Sequence, residues 1–260
     1  MRAFSSGLGA VLLLSIAGSS YSFGAEPAAA IETATVEFKG SQGPIKAYFA
    51  RPKGEGPFPA IVAVHEWWGL ADWIKQNADR LAGRGYAVLA VDLYKGKVTK
   101  DAGEAHELMR ALDQDEGVAD LKGAVAYLGA VPSVAKGKKI GAIGWCMGGM
   151  YSRLLGQASP AVGPTVICYG GVSTEPDQIK ALTGKPVLGI FGATDRGIPV
   201  DKVEEFGKKL REGGSKAVSI KIYPNAGHGF MRPGGPQYAP APAEDAWKQI
   251  DAFFDENLLK

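Results

Sequence analysis

Gly144-Trp145-Cys146-Met147-Gly148-Gly149 occupies the centre of this chain's pattern of apolar and polar residues. The apolar run 139–143 precedes it, and residues 150–155 follow it. This pattern predicts a buried strand, a Gly-x-Cys-x-Gly turn and then a helix. Such a turn lifts its central side chain above the sheet, and its glycines are required because a larger side chain would collide with a neighbouring element. Cys146 is therefore a candidate nucleophile, the alternative being a buried cysteine that acts only as a small apolar side chain.

The composition is that of an ordinary globular protein. The 260 residues contain 46% apolar residues, which is enough to build a sizeable core. The 29 Lys and Arg residues nearly balance the 27 Asp and Glu residues. A balanced charge does not favour a nucleic acid or an anionic membrane surface as partner. We expect a monomer that acts on a small molecule.

The first residues differ from the rest of the chain. Arg2 supplies a positive charge, the run 8–17 is apolar, and small residues follow. This arrangement is typical of a secretory signal peptide, and the apolar run is too short to span a bilayer. We predict a signal peptide over residues 1–25, cleaved between positions 22 and 30, and a catalytic domain over 31–260. The predicted location is the bacterial periplasm, without stable membrane insertion after cleavage; an uncleaved anchor is the alternative.

Only two cysteines are present, so the chain has no disulfide framework. Cys168 lies in the apolar run 165–169, where a packed strand residue is expected. A bridge between Cys146 and Cys168 stays open from the sequence, although it would consume the proposed nucleophile.

Strands and helices alternate along the chain. The segments 33–39 and 45–50 alternate apolar and polar residues and predict an antiparallel edge hairpin. Further buried strands and amphipathic helices follow it in turn, which predicts an α/β fold whose mainly parallel sheet is covered by helices on both faces. The predicted strands after the hairpin are residues 60–64, 86–92, 139–143, 165–169, 186–192 and 217–223.

A nucleophile requires a base, and the base requires an orienting acid. His228 lies in a glycine-rich loop directly after the last predicted strand, whereas His106 is expected on the solvated face of a helix. Asp195 follows the strand 186–192, at the strand end where ligand chemistry gathers in open α/β sheets. The order Cys146, Asp195, His228 is that of α/β-hydrolases.

The oxyanion of an acyl-transfer reaction requires two backbone N–H donors. Met147 supplies one directly after the candidate nucleophile, and Trp67 supplies the other from the loop after an early strand. The pair His65-Glu66 does not make a zinc motif, because no second histidine stands at the required spacing. The sequence has no phosphate loop and no dinucleotide-binding motif, so we expect no metal and no cofactor.

In five of its segments the chain resembles the dienelactone hydrolase (carboxymethylenebutenolidase) family of α/β-hydrolases. The resemblance implies Cys146 as nucleophile, His228 as base and Asp195 as acid. It also implies that Glu66 controls ionisation of the thiol and that Arg232 binds the substrate carboxylate. The segments that carry it are His65-Glu66-Trp67-Trp68-Gly69, Val91-Asp92-Leu93-Tyr94, Gly117-Val118-Ala119-Asp120-Leu121, the Cys146 turn and Ala226-Gly227-His228-Gly229-Phe230.

The chain departs from the family at one point. Dienelactone hydrolases of chloroaromatic degradation carry a second carboxylate-binding arginine in the segment that corresponds roughly to residues 97–104. Here that segment offers Lys97 and Lys100, and a lysine lacks the bidentate fork of an arginine. The resemblance implies a hydrolase that opens an ester or enol-lactone through an acyl-cysteine intermediate. The alternatives are a broad carboxylesterase or thioesterase of the same family and a catalytically idle periplasmic binding protein on a hydrolase scaffold.

Overall fold

The computed structural model describes residues 30–215 and 217–259. The signal peptide predicted over residues 1–25 lies outside the described residues, so cleavage and a periplasmic location stay predictions. Within the described ranges, no helix combines the length and apolar character that crossing a bilayer requires.

Eight strands form one sheet with the order β1-β2-β4-β3-β5-β6-β7-β8. β1 and β2 pair as an antiparallel hairpin, and β2 is also antiparallel to β4. Every other pairing is parallel, which confirms both the predicted hairpin and the mainly parallel sheet. The strands are β1 (Ile31–Lys39), β2 (Pro44–Pro52), β3 (Ala60–Val64), β4 (Ala87–Val91), β5 (Ile140–Trp145), β6 (Val162–Cys168), β7 (Val187–Gly192) and β8 (Val218–Tyr223).

The central strands are apolar on both faces because both faces are covered. Every residue of β3, β4 and β5 is buried. In β3, Ile61 and Ala63 pack into the core on one side, whereas Val62 and Val64 pack into the core on the other. Alternate side chains of a strand point to opposite faces, so a strand between two helical layers has to be apolar throughout.

Helices cover both faces, as predicted. α1 and α7 contribute to the core on one side of the sheet. α3 and α4 contribute to the core on the other side, and α6 packs on the same side over the end of the sheet formed by β7 and β8. The helices are α1 (Asp72–Gly83), α2 (Ala102–Ala111), α3 (Gln114–Ala130), α4 (Met147–Ala158), α5 (Pro176–Lys180), α6 (Val200–Glu212) and α7 (Pro240–Phe254), with a π-helical turn at Asp255–Leu259.

Two local features differ from the sequence prediction. The helix α5 was not predicted, because five residues are too few to show helical periodicity. The strand predicted over 165–169 begins earlier, at Val162, and ends at Cys168. Tyr169 has a φ of 37° and turns away from the strand. The apolar run continues past the strand because Tyr169 is itself fully buried.

Candidate active site

Cys146 stands on a sharp turn between β5 and α4. Its backbone has φ 57° and ψ −118°, a strained conformation for a residue with a side chain. A Cβ atom on Gly144 would overlap the backbone of Gly148, and one on Gly148 would overlap the carbonyl groups of Val64 and His65. Gly144 is therefore required for β5 to pack against the first turn of α4, and Gly148 for α4 to pack against the end of β3.

His228 and Asp195 form a hydrogen-bonded pair at the ends of neighbouring strands. Asp195 follows β7, His228 follows β8, and Nδ1 of the imidazole lies 2.7 Å from Oδ2 of the carboxylate. Asp195 is buried and also accepts a hydrogen bond from the Gly197 N–H at 2.9 Å. The carboxylate thus holds Nδ1 as the donor, which leaves Nε2 of His228 for proton transfer.

The electrostatics of the pair favour charge separation. Burial of His228 opposes its positive charge, but the hydrogen bond to Asp195 and the adjacent Cys146 sulfur raise its pKa to about 10. Burial of Asp195 opposes its negative charge, yet the hydrogen bond from His228 lowers the pKa of this carboxyl below its ordinary value. The site is therefore arranged to hold an imidazolium against a carboxylate.

A cavity of about 380 Å³ brings the predicted site residues together. Cys146 and His228 line it, together with Glu66, Trp67 and Arg232. Asp195 does not line the cavity, but its carboxylate accepts a hydrogen bond from Nδ1 of His228. The side chain of Met147 is buried at the start of α4. Four segments that are distant in sequence thus meet at the carboxyl end of the parallel strands, where open α/β sheets bind their ligands.

The backbone N–H groups of Trp67 and Met147 donate to no acceptor within the residues that the structure describes. Gly69 donates to the carbonyl of Glu66 at 3.2 Å and closes the loop after β3, but the Trp67 N–H inside that loop donates to no acceptor among the described residues. The Met147 N–H, at the first position of α4, is likewise unpaired within the described part of the chain. These groups are the donors that the sequence predicts for an oxyanion.

Glu66 is a buried carboxyl group that lines the same cavity as Cys146. Only 4% of its surface is exposed, and this burial raises its pKa to about 7 although Arg232 and His228 act in the opposite direction. The Arg232 Nη1 atom lies 3.8 Å from Glu66 Oε2, and its guanidinium lies over the Trp68 ring, 5.0 Å from the centroid. Arg232 is thus held by an ion pair and a cation–π contact.

His65 has a structural role. It is fully buried, and burial lowers its pKa, so it is neutral. Its Nδ1 lies 2.5 Å from the Glu66 carbonyl, and its Nε2 accepts the Leu93 N–H at 3.2 Å. The ring therefore joins the loops that follow β3 and β4 and fixes the start of the Glu66–Gly69 loop. His106 is exposed on α2, as predicted.

Tyr169 is a further residue beside His228 that was not predicted from the sequence. This residue is fully buried, its ring packs edge-on against His228 with centroids 5.4 Å apart, and its hydroxyl has no hydrogen-bond partner among the described residues. Burial and the nearby Glu66 raise its pKa well above the usual value. A signal was present, because Tyr169 directly follows a parallel strand, like Asp195 and His228.

Similarity to known proteins agrees with this geometry. The model of the dienelactone hydrolase family matches residues 45–258, which is nearly the whole described domain. The chain belongs to the dienelactone hydrolase family. As a member of the dienelactone hydrolase family it is a hydrolase of the α/β-hydrolase fold.

Relatives of this dienelactone hydrolase family member occur in several bacteria. A protein of Methylorubrum extorquens named "Putative carboxymethylenebutenolidase" is 34% identical over 225 residues, which cover 82% of this chain and 77% of the relative. A protein of Escherichia coli K12 with the same name is 30% identical over 224 residues, which cover 81% of this chain and 82% of the relative.

Solved structures share the architecture of the chain. A crystal structure from Klebsiella pneumoniae entitled "Putative Dienelactone Hydrolase" has a TM-score of 0.79 at 28% identity, and the match covers 87% of this chain and 99% of that one. A dienelactone hydrolase-like promiscuous phosphotriesterase from metagenomic libraries has a TM-score of 0.80 at 24% identity, covering 88% and 99%. The second similarity concerns the fold alone.

Proposed function

We propose that this hydrolase opens an ester or enol-lactone through an acyl-cysteine intermediate on Cys146, with His228 as the base and Asp195 as its orienting acid. One observation carries the proposal. The imidazole of His228 is bonded at Nδ1 to a buried carboxylate, while the same ring and Cys146 line one cavity. A nucleophile, a base and an acid in this relation are the components of acyl transfer.

In the first half of the reaction the Cys146 thiolate attacks the substrate carbonyl and a C–S bond forms. The carbonyl oxygen becomes an oxyanion that accepts hydrogen bonds from the N–H groups of Trp67 and Met147. The intermediate collapses, the C–O bond breaks, and the His228 imidazolium gives its proton to the leaving oxygen. In a lactone the leaving oxygen stays attached to the acyl group, so ring opening gives a tethered alcohol or enol.

The second half returns the thiol. Neutral His228 takes a proton from water, and the resulting hydroxide attacks the thioester carbonyl. The C–S bond then breaks, which releases the carboxylic acid and restores the thiolate and imidazolium. Asp195 stays ionised throughout, because its hydrogen bond to His228 keeps its pKa low.

Glu66 and Arg232 complete the proposal. A carboxyl group with a pKa of about 7 in the cavity that Cys146 lines is suited to exchange a proton with the thiol near neutral pH. Arg232 presents a guanidinium to the same cavity and is suited to bind a substrate carboxylate.

The second candidate is a broad carboxylesterase or thioesterase with the same mechanism. Arg232 is the one arginine among the residues that line the catalytic cavity in the described part of the chain. A substrate that lacks a carboxylate loses little in such a cavity. A thiolate is also a good leaving group, which suits activated esters better than amides.

The test compares Cys146→Ala with Cys168→Ala on cis- and trans-dienelactone and on p-nitrophenyl acetate. The side chain of Cys168 is fully buried and does not line the cavity, so its variant is a matched control for loss of a thiol. We expect Cys146→Ala to lower kcat/KM by about 10³-fold or more, as loss of a catalytic nucleophile does, and Cys168→Ala to retain most of it.

Each outcome separates the candidates. Lactone turnover that requires Cys146 and exceeds acetate turnover supports a dienelactone hydrolase, whereas Cys146-dependent turnover of the acetate alone supports the broad esterase. If Cys146→Ala keeps the wild-type rate, the acyl-cysteine mechanism is wrong. A reduced wild-type enzyme without turnover of any of the three esters contradicts both candidates and favours the binding protein.

A further inference from the structure

The backbone turn after β6, residues 169–171, holds Tyr169 in an unusual conformation. The φ of Tyr169 is 37°, and a bulky aromatic residue rarely adopts this left-handed region unless its surroundings impose it. The Tyr169 N–H donates to the Ile190 carbonyl at 2.7 Å, which fixes the start of the turn against β7. Gly170 packs on the first turn of α4, where a Cβ atom on it would overlap the backbone of Gly149. The turn 169–171 is thus held by β7 and α4.

A buried arginine on α4 holds the end of the same turn. Arg153 Nε donates to the Gly171 carbonyl at 3.0 Å, two residues after Tyr169. Its Nη1 donates to Oε1 of Gln157 at 3.1 Å and to Oε1 of Gln178 at 2.7 Å. The Gln157 amide in turn donates to the Gln178 carbonyl at 2.9 Å. The guanidinium is therefore fixed by α4 and α5, and it directs Nε at the turn 169–171.

Arg153 holds its positive charge without a counter-ion. Only 5% of its surface is exposed, and its three hydrogen bonds within the described part of the chain all go to neutral oxygen atoms. Burial lowers its pKa to about 10, so the guanidinium remains charged at neutral pH. An apolar side chain would be less costly to bury than such a charge. The placement of its donors therefore distinguishes Arg153 from an apolar residue at this position.

The turn 169–171 carries a ring that contacts the histidine of the active site. The Tyr169 and His228 ring centroids are 5.4 Å apart, at an interplanar angle of 66°. The Tyr169 ring also packs against Phe230, with centroids 5.7 Å apart, and it is fully buried. His228 has to keep Nδ1 on Asp195 and Nε2 free for proton transfer, and a packed ring beside the imidazole restricts its rotation.

We propose that Arg153 is a positioning residue for His228. Arg153 fixes the turn 169–171, so that the Tyr169 ring keeps the His228 imidazole in place for proton transfer. Arg153 does not line the catalytic cavity, and it acts through Tyr169 alone. The inference rests on the proposed function, because the alignment of His228 matters only for a reaction in which this imidazole moves a proton.

Two neutral substitutions of equal length test the bond to Gly171. The Nε2 atom of Arg153→Gln takes the place of Arg153 Nε and keeps a donor there, whereas Arg153→Met has a methyl group at that place. We expect Arg153→Met to lower kcat for p-nitrophenyl acetate about tenfold or more, because a small misplacement of a reacting group has a large effect on rate. We expect Arg153→Gln to keep kcat within about threefold, and KM to change by less than about twofold in both variants.

A double variant separates positioning from a general loss of stability. Tyr169→Leu removes the aromatic ring, so we expect it to lower kcat as Arg153→Met does. If Arg153 acts through Tyr169, adding Arg153→Met to Tyr169→Leu lowers kcat by less than about twofold further, whereas independent effects would multiply. Gln178→Leu is the control, because it removes the bond between the guanidinium and α5 and leaves the Gly171 bond. We expect this control to keep kcat within about twofold.

The NMR signal of the His228 imidazole gives a readout that does not require turnover. The chain has three histidines, and the His228 signal is the one that His228→Gln lacks. An aromatic ring shifts the resonance of a proton close to it, so loss of the Tyr169 ring moves the His228 signal. We expect Arg153→Met to move this signal in the same direction as Tyr169→Leu, and Gln178→Leu to leave it in place.

Each result supports or overturns the positioning role. An unchanged His228 signal in Arg153→Met, an equal rate loss in Arg153→Gln, or losses that multiply in the double variant overturn it. If urea unfolding shows that Arg153→Met is not folded, Tyr169→Leu decides, because an unchanged rate and an unchanged His228 signal in that variant overturn the proposal as well. Absence of Cys146-dependent turnover overturns the proposed function instead, and the NMR signals still show whether Arg153 positions His228.

Discussion

Glu66 is a single carboxyl group whose surroundings oppose its ionisation. It has 4% of its surface exposed, and its neighbour Arg232 is too far away for a close hydrogen bond. Burial therefore dominates, and the pKa rises from 4.5 to about 7. Because the folded protein binds this proton more tightly than the unfolded chain does, protonated Glu66 favours the folded state.

The higher proton affinity of Glu66 in the folded state predicts how the free energy of unfolding depends on pH. The stabilisation is complete below the unfolded pKa of 4.5 and is lost as the pH rises through about 7. Glu66→Gln removes the titrating proton, so we expect its free energy of unfolding, relative to wild type, to increase by on the order of 2–3 kcal/mol between pH 5 and pH 8. Urea unfolding at the two pH values measures the difference. The control is Glu55→Gln, at an exposed position; equal pH dependence in both variants contradicts the prediction.

The C-terminal helix α7 is bound to α1 by a network of charged side chains. Arg80 bonds Asp251 at 2.9 Å and its guanidinium lies over the Trp247 ring, 4.5 Å from the centroid. Asp255, after the end of α7, accepts from the Tyr86 hydroxyl at 2.7 Å and from Arg84. The partners are about 170 residues apart in sequence, so this network closes the layer that covers one face of the sheet.

Loss of Arg80 is therefore expected to lower the free energy of unfolding more than loss of an exposed surface charge does. Arg80→Ala removes an ion pair and a cation–π contact and leaves the buried Asp251 with a weaker partner, so we expect a loss of about 1–2 kcal/mol of unfolding free energy. Lys208→Ala on α6 is the control, because its pair with Glu212 is 3.7 Å long and exposed. We expect that control to change stability by less than about 0.5 kcal/mol. Equal losses measured by denaturant titration would show that the network contributes nothing beyond exposed charge.

A second set of contacts between elements explains the motif Gly117–Leu121, which lies outside the site. The carboxylate of Asp120 on α3 accepts the Ser41 N–H at 2.6 Å and the Ser41 hydroxyl at 2.8 Å, in the turn between β1 and β2. A Cβ atom on Gly117 would lie 2.7 Å from the Tyr151 ring. The motif Gly117–Leu121 thus holds α3 to the hairpin and to α4, and its role is structural.

The fold is held together without a covalent cross-link. Both cysteines are free; Cys146 is partly exposed and Cys168 is fully buried. The Cys146 N–H donates to the Cys168 carbonyl at 3.0 Å, so β5 and β6 are joined there by backbone pairing. The bridge that the sequence left open is absent from the structure.

The midpoint of thermal unfolding is therefore expected to be independent of reducing agent. A disulfide that closed the loop from Cys146 to Cys168 would contribute about 3 kcal/mol, or several degrees in Tm. We expect equal Tm values, within about 1 °C, with and without dithiothreitol in differential scanning fluorimetry. A fall of several degrees upon reduction would reveal a bridge in the purified protein.

The sequence predicted most of the fold because hydrophobic periodicity is local. Runs such as Ala60–Val64 identify buried strands without knowledge of their partners, and Cys146, Asp195 and His228 follow from the order of the elements. The contact between Arg232 and Trp68 could not be predicted, since it depends on how two distant loops pack. Tyr169 was assigned to a strand for a related reason: burial produces the same apolar pattern whether the backbone continues or turns.

The parallel strands have a practical consequence for attaching this enzyme to a solid support. Cys146 follows the carboxyl end of β5, whereas Lys138 is exposed two residues before its amino end. Six strand residues separate the two ends by about 20 Å. A bead or electrode coupled at position 138 therefore meets the end of the sheet opposite the cavity that Cys146 lines, and the cavity mouth stays open to the surrounding solution.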